Sequence, residues 1–336
     1  MIATTEIELK KLIQDFEKDW DNLDLINSLA IGYFENTSMQ NDNEELKYFE
    51  LAYLTRKTVK SSHNLAWYLY FESGDEDRAI KIQKECIELL PKSYYPYYLY
   101  GYMLLDKNNY EEAIPFLNKA YQIGKRRDIL YNIGYCYFQM GDIEKSKESF
   151  SKSVSELDVE NRSLYGLAIC EWKLNNFEQV KIIADKLIKE IETKDNDIVT
   201  GYEIGLLYFL LNDLKQASRC LIKQGINGID LIDWPELSYP LYKTNKELWF
   251  EKINNRIIEL KEWYIEIENN HEDWNNYSDE EKKEELSDIN AEINFKQEIL
   301  NKEMTKPIIN LNKKIWEEHC GCLLFDCKRH NNIEND

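Results

Sequence analysis

The chain has 336 residues and a formal charge of −20, with 43% apolar residues but only 12 Gly and 6 Pro. So few turn formers argue against an all-β fold. The acidity argues against nucleic acid and anionic membrane surfaces and favours protein or peptide partners, basic ones above all, though it also simply keeps a chain soluble. No run of 18 apolar residues predicts a membrane span, and Met1 to Glu6 lacks the basic-then-apolar pattern of a secretory signal. The 7 Cys are odd in number, and four lie inside helical stripes, which fits a reducing cytoplasmic location better than a disulfide framework.

Residues 1–24 predict an N-terminal capping helix. Leu9, Leu12, Ile13, Phe16, Trp20 and Leu23 share one face over 5–23, and Thr5 with Glu8 forms a capping box. Residues 25–231 predict six helix pairs: 25–59, 60–93, 94–126, 127–160, 161–197 and 198–231. The clearest copies lie side by side. Tyr97, Tyr100, Gly101, Leu104, Asn108-Asn109, Ala113, Leu117 and Ala120 match Leu130, Ile133, Gly134, Tyr137, Gly141-Asp142, Ser146, Phe150 and Ser153. A helix-turn-helix unit recurring about every 34 residues predicts a solenoid.

The turns supply an internal check. Gly74-Asp75, Asn108-Asn109, Gly141-Asp142, Asn175-Asn176 and Asn212-Asp213 repeat one chemistry in register. The first residue suits a left-handed helix ending, and the second suits an N-cap for the next helix. The first pair is looser, with an extra loop residue between Gln40 and Asn43.

This pattern resembles the tetratricopeptide repeat family over residues 25–231. Small residues at Gly101, Gly134, Ala168 and Gly205 occupy the family's close-packing slot, and Trp67 stands there in the unit 60–93, which also carries Ala79 and Pro91. Tyr208 and Ala217 match the last unit. The resemblance implies that the first helix of each pair lines a concave face. On that face Tyr68, Phe71, Tyr98, Tyr102, Tyr131, Tyr135, Phe138, Tyr165, Trp172, Tyr202 and Phe209 predict an aromatic ladder. The rings either pack between repeats or line a recognition groove, where Tyr offers contact area at low entropic cost. Arg162 and Lys173 flank the ladder and suit acidic groups on a ligand. The family's carboxylate-clamp subgroup needs Lys, Asn and Arg where Tyr stands here, which argues against a chaperone-tail receptor.

Residues 232–318 predict an acidic helical region, either docked on the repeats or projecting as an arm. Pro235 and Pro240 mark a turn-rich connection. Trp249, Ile253, Ile257, Leu260, Trp263, Tyr264 and Ile267 form one stripe over 245–268. A polar loop follows with His271, Asn275 and Asn276. Ser278 and Glu281 cap a helix to about 301, with Leu286, Ile289, Ile293 and Leu300 inward. Pro307 predicts the start of a last short helix through Ile308, Leu311 and Ile315. Over 245–300 sixteen acidic residues face seven basic ones.

Residues 319–336 form a Cys/His-rich tail. Cys320, Cys322, Cys327 and His330 are the donor types of a tetrahedral structural zinc site. The opening Cys-x-Cys loosely resembles SEC-C zinc hooks, and the second half departs from them. A metal-free tail with Leu323, Leu324 and Phe325 tucked inward is the alternative, beside redox sensing or acylation of the thiols. Cys86, Cys136, Cys170 and Cys220 read as core residues. His63 reads as a repeat-face residue. No phosphate loop, zinc-protease helix or nucleophile elbow is present.

The expected architecture is therefore all-α: a TPR-like α-α solenoid followed by a C-terminal helical hairpin or bundle. The expected function is a protein-interaction adaptor that binds a segment in an open aromatic groove. The alternatives are an acidic, immunity-type inhibitor of a basic effector such as a nuclease, and a zinc-dependent enzyme.

Overall fold

A computed structural model describes residues 6–36, 44–156, 161–193, 199–224, 235–269, 274 and 277–327. Thr5, the loop 40–43, His271, Asn275, Asn276 and His330 lie outside them. The described residues are all-α and divide into two compact units, 1–157 with 315–336, and 158–314.

The first unit opens with α1 (Glu6–Phe16), which buries Leu9 and Leu12 against α2 (Leu23–Glu35). The predicted helix to residue 23 is too long. Asn22 accepts hydrogen bonds from the amides of Asp24 and Leu25 and so starts α2, and Trp20 is left 71% exposed in the bend instead of facing inward. Helical hairpins follow: α2 with α3 (Glu44–Thr55), α4 (Val59–Tyr68) with α5 (Glu76–Glu88), α6 (Tyr95–Asp106) with α7 (Tyr110–Gly124), and α8 (Arg127–Gln139) with α9 (Ile143–Glu156). The second unit continues with α10 (Asn161–Lys173) on α11 (Phe177–Thr193) and α12 (Gly201–Leu210) on α13 (Leu214–Gln224).

The turn chemistry is realised in the backbone. Gly74, Asn108, Gly141, Asn175 and Asn212 all have left-handed φ values, from 61° to 81°. The capping half of the expectation holds at Asp142 and Asp213, whose carboxylates accept from amides three residues on. Asp75 and Asn109 make no such side-chain bond. The small slot also behaves as a close-packing device. A Cβ at Gly134 would lie 2.9 Å from the Phe150 ring, and one at Gly101 would lie 2.8 Å from Leu117.

Repeat 60–93 differs from the others. A π-helical turn, Leu69–Ser73, follows α4. Such a turn inserts one residue into the helix. Counted back from Gly74, Trp67 occupies the small slot. Counted with the inserted residue, Ala66 does, and Ala66 is fully buried. Every position ahead of the insertion is therefore shifted by one relative to the other repeats.

In the second unit, Pro235 and Pro240 do not mark a loop. They begin and lie within α14 (Pro235–Thr244). A proline at the first position forfeits no helical bond, and burial of Leu237 and Leu241 holds the helix across Pro240. Next come α15 (Lys246–Glu268) and α16 (Asp279–Leu300), started by the predicted Ser278–Glu281 capping box. Trp249, Ile253, Ile257 and Leu260 form one core with Leu237, Leu241, Ile289 and Ile293. Trp249 is fully buried, and its indole N–H donates to Ser238 Oγ at 2.8 Å. Trp263 stays 43% exposed. Thus the hairpin docks within its own unit, with Ile267 buried near its tip, and of the predicted stripe Trp263 alone stands exposed. After α16 the expected helix at Pro307 is absent. Residues 303–327 are non-helical except for a single 3₁₀ turn, Leu311–Lys313. From Trp316 on, main-chain groups find partners on α8 and α4 instead.

Candidate functional site: an extended segment on the inner helices

In the first unit α4, α6 and α8 lie side by side, and residues 315–327 run across them. The segment meets α8 first and α4 last. Tyr131 Oη donates to the Trp316 carbonyl at 2.9 Å. Asn132 grips both main-chain groups of Glu318: its Nδ2 donates to the carbonyl and its Oδ1 accepts from the amide, each at 2.7 Å. The Trp67 indole N–H donates to the Gly321 carbonyl at 3.2 Å. His63 Nε2 lies 2.8 Å from the Leu323 carbonyl. Asn64 repeats the two-handed grip on Phe325, accepting from its amide at 2.8 Å and donating to its carbonyl at 3.2 Å. Lys60 closes the run with an ion pair to Asp326 at 2.6 Å.

Each asparagine does what a neighbouring β-strand residue would do, offering one donor and one acceptor to the same residue. Such a pair fits a residue whose two main-chain groups are both free; Glu318 lies in irregular chain, and Phe325 lies in a turn in which the Cys327 amide donates to the Leu324 carbonyl at 3.4 Å. The contacts just named, apart from the Lys60 pair, end on main-chain atoms, so they recognise chain conformation before they recognise side chains. Side chains add apolar seats. The His319 ring packs on Phe71 and Tyr102, with centroids 4.9 and 5.6 Å apart. Phe325 packs on His63 and Tyr95 at 5.1 and 5.3 Å. Ile315, Cys320, Leu323, Leu324 and Cys327 are buried.

The electrostatics match a dry seat. Burial pushes His63 down to about 4, against the opposing pull of its bonds to Leu323 and Gln83. A carbonyl only accepts, so Nε2 carries the proton, and Nδ1 faces the Gln83 amide nitrogen at 3.3 Å. The hydroxyls of Tyr98 and Tyr102 are raised by burial foremost, and Tyr135 is raised by burial and then by the Glu317 carboxylate. These rings are neutral hydrogen-bonding groups at any ordinary pH.

The predicted ladder can now be placed residue by residue. Phe71, Tyr102, Tyr131 and Tyr135 meet the segment, and Tyr98 lies beneath it, fully buried, its hydroxyl 3.1 Å from Asn132 Nδ2. Phe138 is also fully buried. Tyr68 turns away. Its hydroxyl donates to Glu45, and its ring packs on Phe34 and Phe49. The π turn explains this, because the one-residue shift puts His63 and Trp67 where Tyr98 and Tyr102 stand in the next repeat. In the second unit, Trp172 Nε1 bonds the Leu210 carbonyl at 3.4 Å, and Tyr165 and Tyr202 are buried or half-buried. Arg162 is half-buried near the start of α10. Lys173 holds Asn312 at 3.1 Å rather than standing ready for an acid. Lys306 bonds Asn212 at 2.9 Å and sits 5.2 Å above the Phe209 ring. The expectation of an open channel is therefore corrected: residues 315–327 fill it in the first unit. Sequence reasoning missed Asn64, Asn132 and Trp67. Counted from the turns, Asn64 aligns with Tyr98 and Asn132 with Leu99, so only the inserted residue of the π turn brings the two asparagines to one repeat position, and no periodic signal paired them.

The tail thiols are placed in part. The Cys322 thiol shares a hydrogen bond with Cys327, and that bond, followed by burial, drives its pKa far up. Burial does the same to Cys320. Both are protonated and weakly nucleophilic in this arrangement. Among the described residues no three His, Cys, Asp or Glu side chains gather into a metal-binding group, and His330 lies outside them. Nor is any helix among them long and apolar enough to cross a membrane.

A tetratricopeptide repeat model matches residues 59–93, 94–123 and 128–156. A search of curated protein sequences finds no match. Among solved structures, the Cut9–Hcn1 hetero-tetramer of the APC/C is similar at a TM-score of 0.50 and 16% identity, over 71% of this chain and 46% of that one. A tetratricopeptide repeat protein from Parabacteroides merdae gives 0.49 and 16%, over 83% and 97%. YrrB, described as having an unusual peptide-binding site, gives 0.47 and 13%, over 56% and 93%. At these identities the likeness concerns the fold.

Proposed function

We propose that this protein is an interaction adaptor whose first unit binds an extended polypeptide segment across α4, α6 and α8. One observation carries the reading: Asn64 and Asn132 each grip both main-chain groups of one residue in a segment without helix or strand. A face that only packed repeats together would have no use for such paired donors and acceptors. The ladder rings and the His63–Tyr95 seat supply contact area around that grip, and a mainly apolar seat of this kind holds its ligand with little dependence on salt.

The test is peptide selection followed by affinity measurement on the chain carrying Leu324→Asp, a charge in a fully buried seat that empties the groove of residues 315–327. In that background two lost hydrogen bonds of about 1 kcal/mol each predict roughly a thirtyfold loss on adding Asn132→Ala, with unchanged helical circular dichroism. Selected peptides that bind as tightly after Asn64→Ala or Asn132→Ala is added would move the site elsewhere. The net charge of −20 favours a second reading, an inhibitor of a basic effector. That reading requires affinity for a basic protein to fall steeply between low and moderate salt.

A further inference from the structure

We propose that residues 315–327 are a self-ligand that keeps the groove closed, so that an external partner binds only as this segment leaves. The proposal rests on the groove reading above and adds its regulation and the chemistry of the partner. The segment's own sequence describes that partner. It is a chain without helix or strand, turning just after the second of two residues, seven apart, whose amide and carbonyl are both free, as Glu318 and Phe325 present theirs. Proline is excluded at both positions because each must donate an N–H. The second position carries an aromatic ring for the His63–Tyr95 seat and is preceded by two apolar residues, as Leu323 and Leu324 are here.

Several features mark the segment as a ligand rather than a core element. It has no helix or strand of its own over 315–327. The main-chain groups of Trp316, Glu318, Leu323 and Phe325 named above are met by side chains of α8 and α4. Gly321 and Asp326 have left-handed φ values of 70° and 69°, which break any regular run. The groove side chains it touches, by contrast, are fixed on helices. Removing the segment would uncover Trp67, Asn132 and His63, polar-tipped groups that are all buried with it in place. Those groups would then meet either water or another chain with the same spacing.

The strength of the closure follows from tethering. A segment on a short tether has an effective concentration on the order of 1 mM. If its intrinsic dissociation constant is about 10 μM, the closed form outweighs the open form by about a hundredfold. The apparent affinity for an identical segment offered in trans falls by the same factor.

The experiment uses a fluorescent peptide with the sequence of residues 315–327 and the full-length chain. Leu324→Asp puts a charge into a fully buried seat and frees the tail while leaving the groove residues intact. The peptide should bind this variant about a hundredfold more tightly than it binds the natural chain, and Asn64→Ala added to the variant should remove that binding. Equal, tight binding to the natural chain and to Leu324→Asp would overturn the closure while leaving the groove reading standing. No binding to a folded Leu324→Asp protein would overturn the self-ligand itself. Should Leu324→Asp fail to fold, hydrogen exchange on the natural chain decides. Excess peptide in trans should speed exchange of the chain's own Glu318 and Phe325 amides, and unchanged exchange would refute the proposal.

Discussion

His63 offers the sharpest physical test, because its charge and the seat of the segment exclude one another. It is fully buried, bonded to the Leu323 carbonyl and packed on Phe325 and Tyr95. Gln83 completes its surroundings with a donor facing Nδ1. None of these neighbours carries a charge at neutral pH. In the folded chain burial lowers its pKa from 6.5 to about 4. A lowered histidine is neutral when folded and charges on unfolding or on release of the segment. Its contribution is therefore full above pH 6.5, shrinks as pH falls, and is lost below about 4. Each pH unit within that window costs up to about 1.4 kcal/mol, and the whole span about 3 kcal/mol. Many carboxylates titrate in the same window, so the measurement is a difference. Urea unfolding of the natural chain and of His63→Gln is compared at pH 7 and pH 4. Glutamine can still donate to the Leu323 carbonyl and carries no charge. The natural chain should lose about 3 kcal/mol more than the variant, while contributions from distant groups cancel. A pH-independent difference, or a residue 63 imidazole resonance titrating near 6.5, would refute the assignment of a dry, neutral His63.

Two glycines in one repeat slot should answer the same substitution with opposite signs. In Gly134→Ala the new Cβ meets the fully buried Phe150 ring at 2.9 Å. Overpacking of about 1–3 kcal/mol then outweighs the helix-propensity gain of about 1 kcal/mol, and the melting temperature should drop. In Gly205→Ala the nearest atom is 3.4 Å away, an ordinary contact, so propensity wins and thermal melting should show stabilisation of about 0.5–1 kcal/mol. Equal shifts in both variants would remove the packing argument. For the tail, a zinc site at Cys320, Cys322, Cys327 and His330 requires about one metal per chain by elemental analysis, lost in the Cys322→Ser, Cys327→Ser double variant. The same metal content in both proteins removes that site.

The sequence by itself determined the repeat architecture, because the relevant forces are local. A left-handed helix ending needs Gly or Asn, and five such turns in register declared the hairpins before any coordinates. Small residues at Gly101 and Gly134 declared where helices approach closely. The capping box at Ser278 and the stripe through Trp249 were legible for the same reason. What only the tertiary structure decided was non-local or depended on a one-residue count. The π turn at Leu69–Ser73 moved His63 and Trp67 onto the recognition face and turned Tyr68 off it, and no periodic pattern registers a single inserted residue. The proline at 307 had a sound local argument for a helix. That argument lost because the segment's main chain runs on without regular structure and, from Trp316 on, is met by side chains far away in the chain. Asn132 and Glu318, Asn64 and Phe325 are partners across most of the sequence, and a pairing of that kind exists only once the hairpins have stacked.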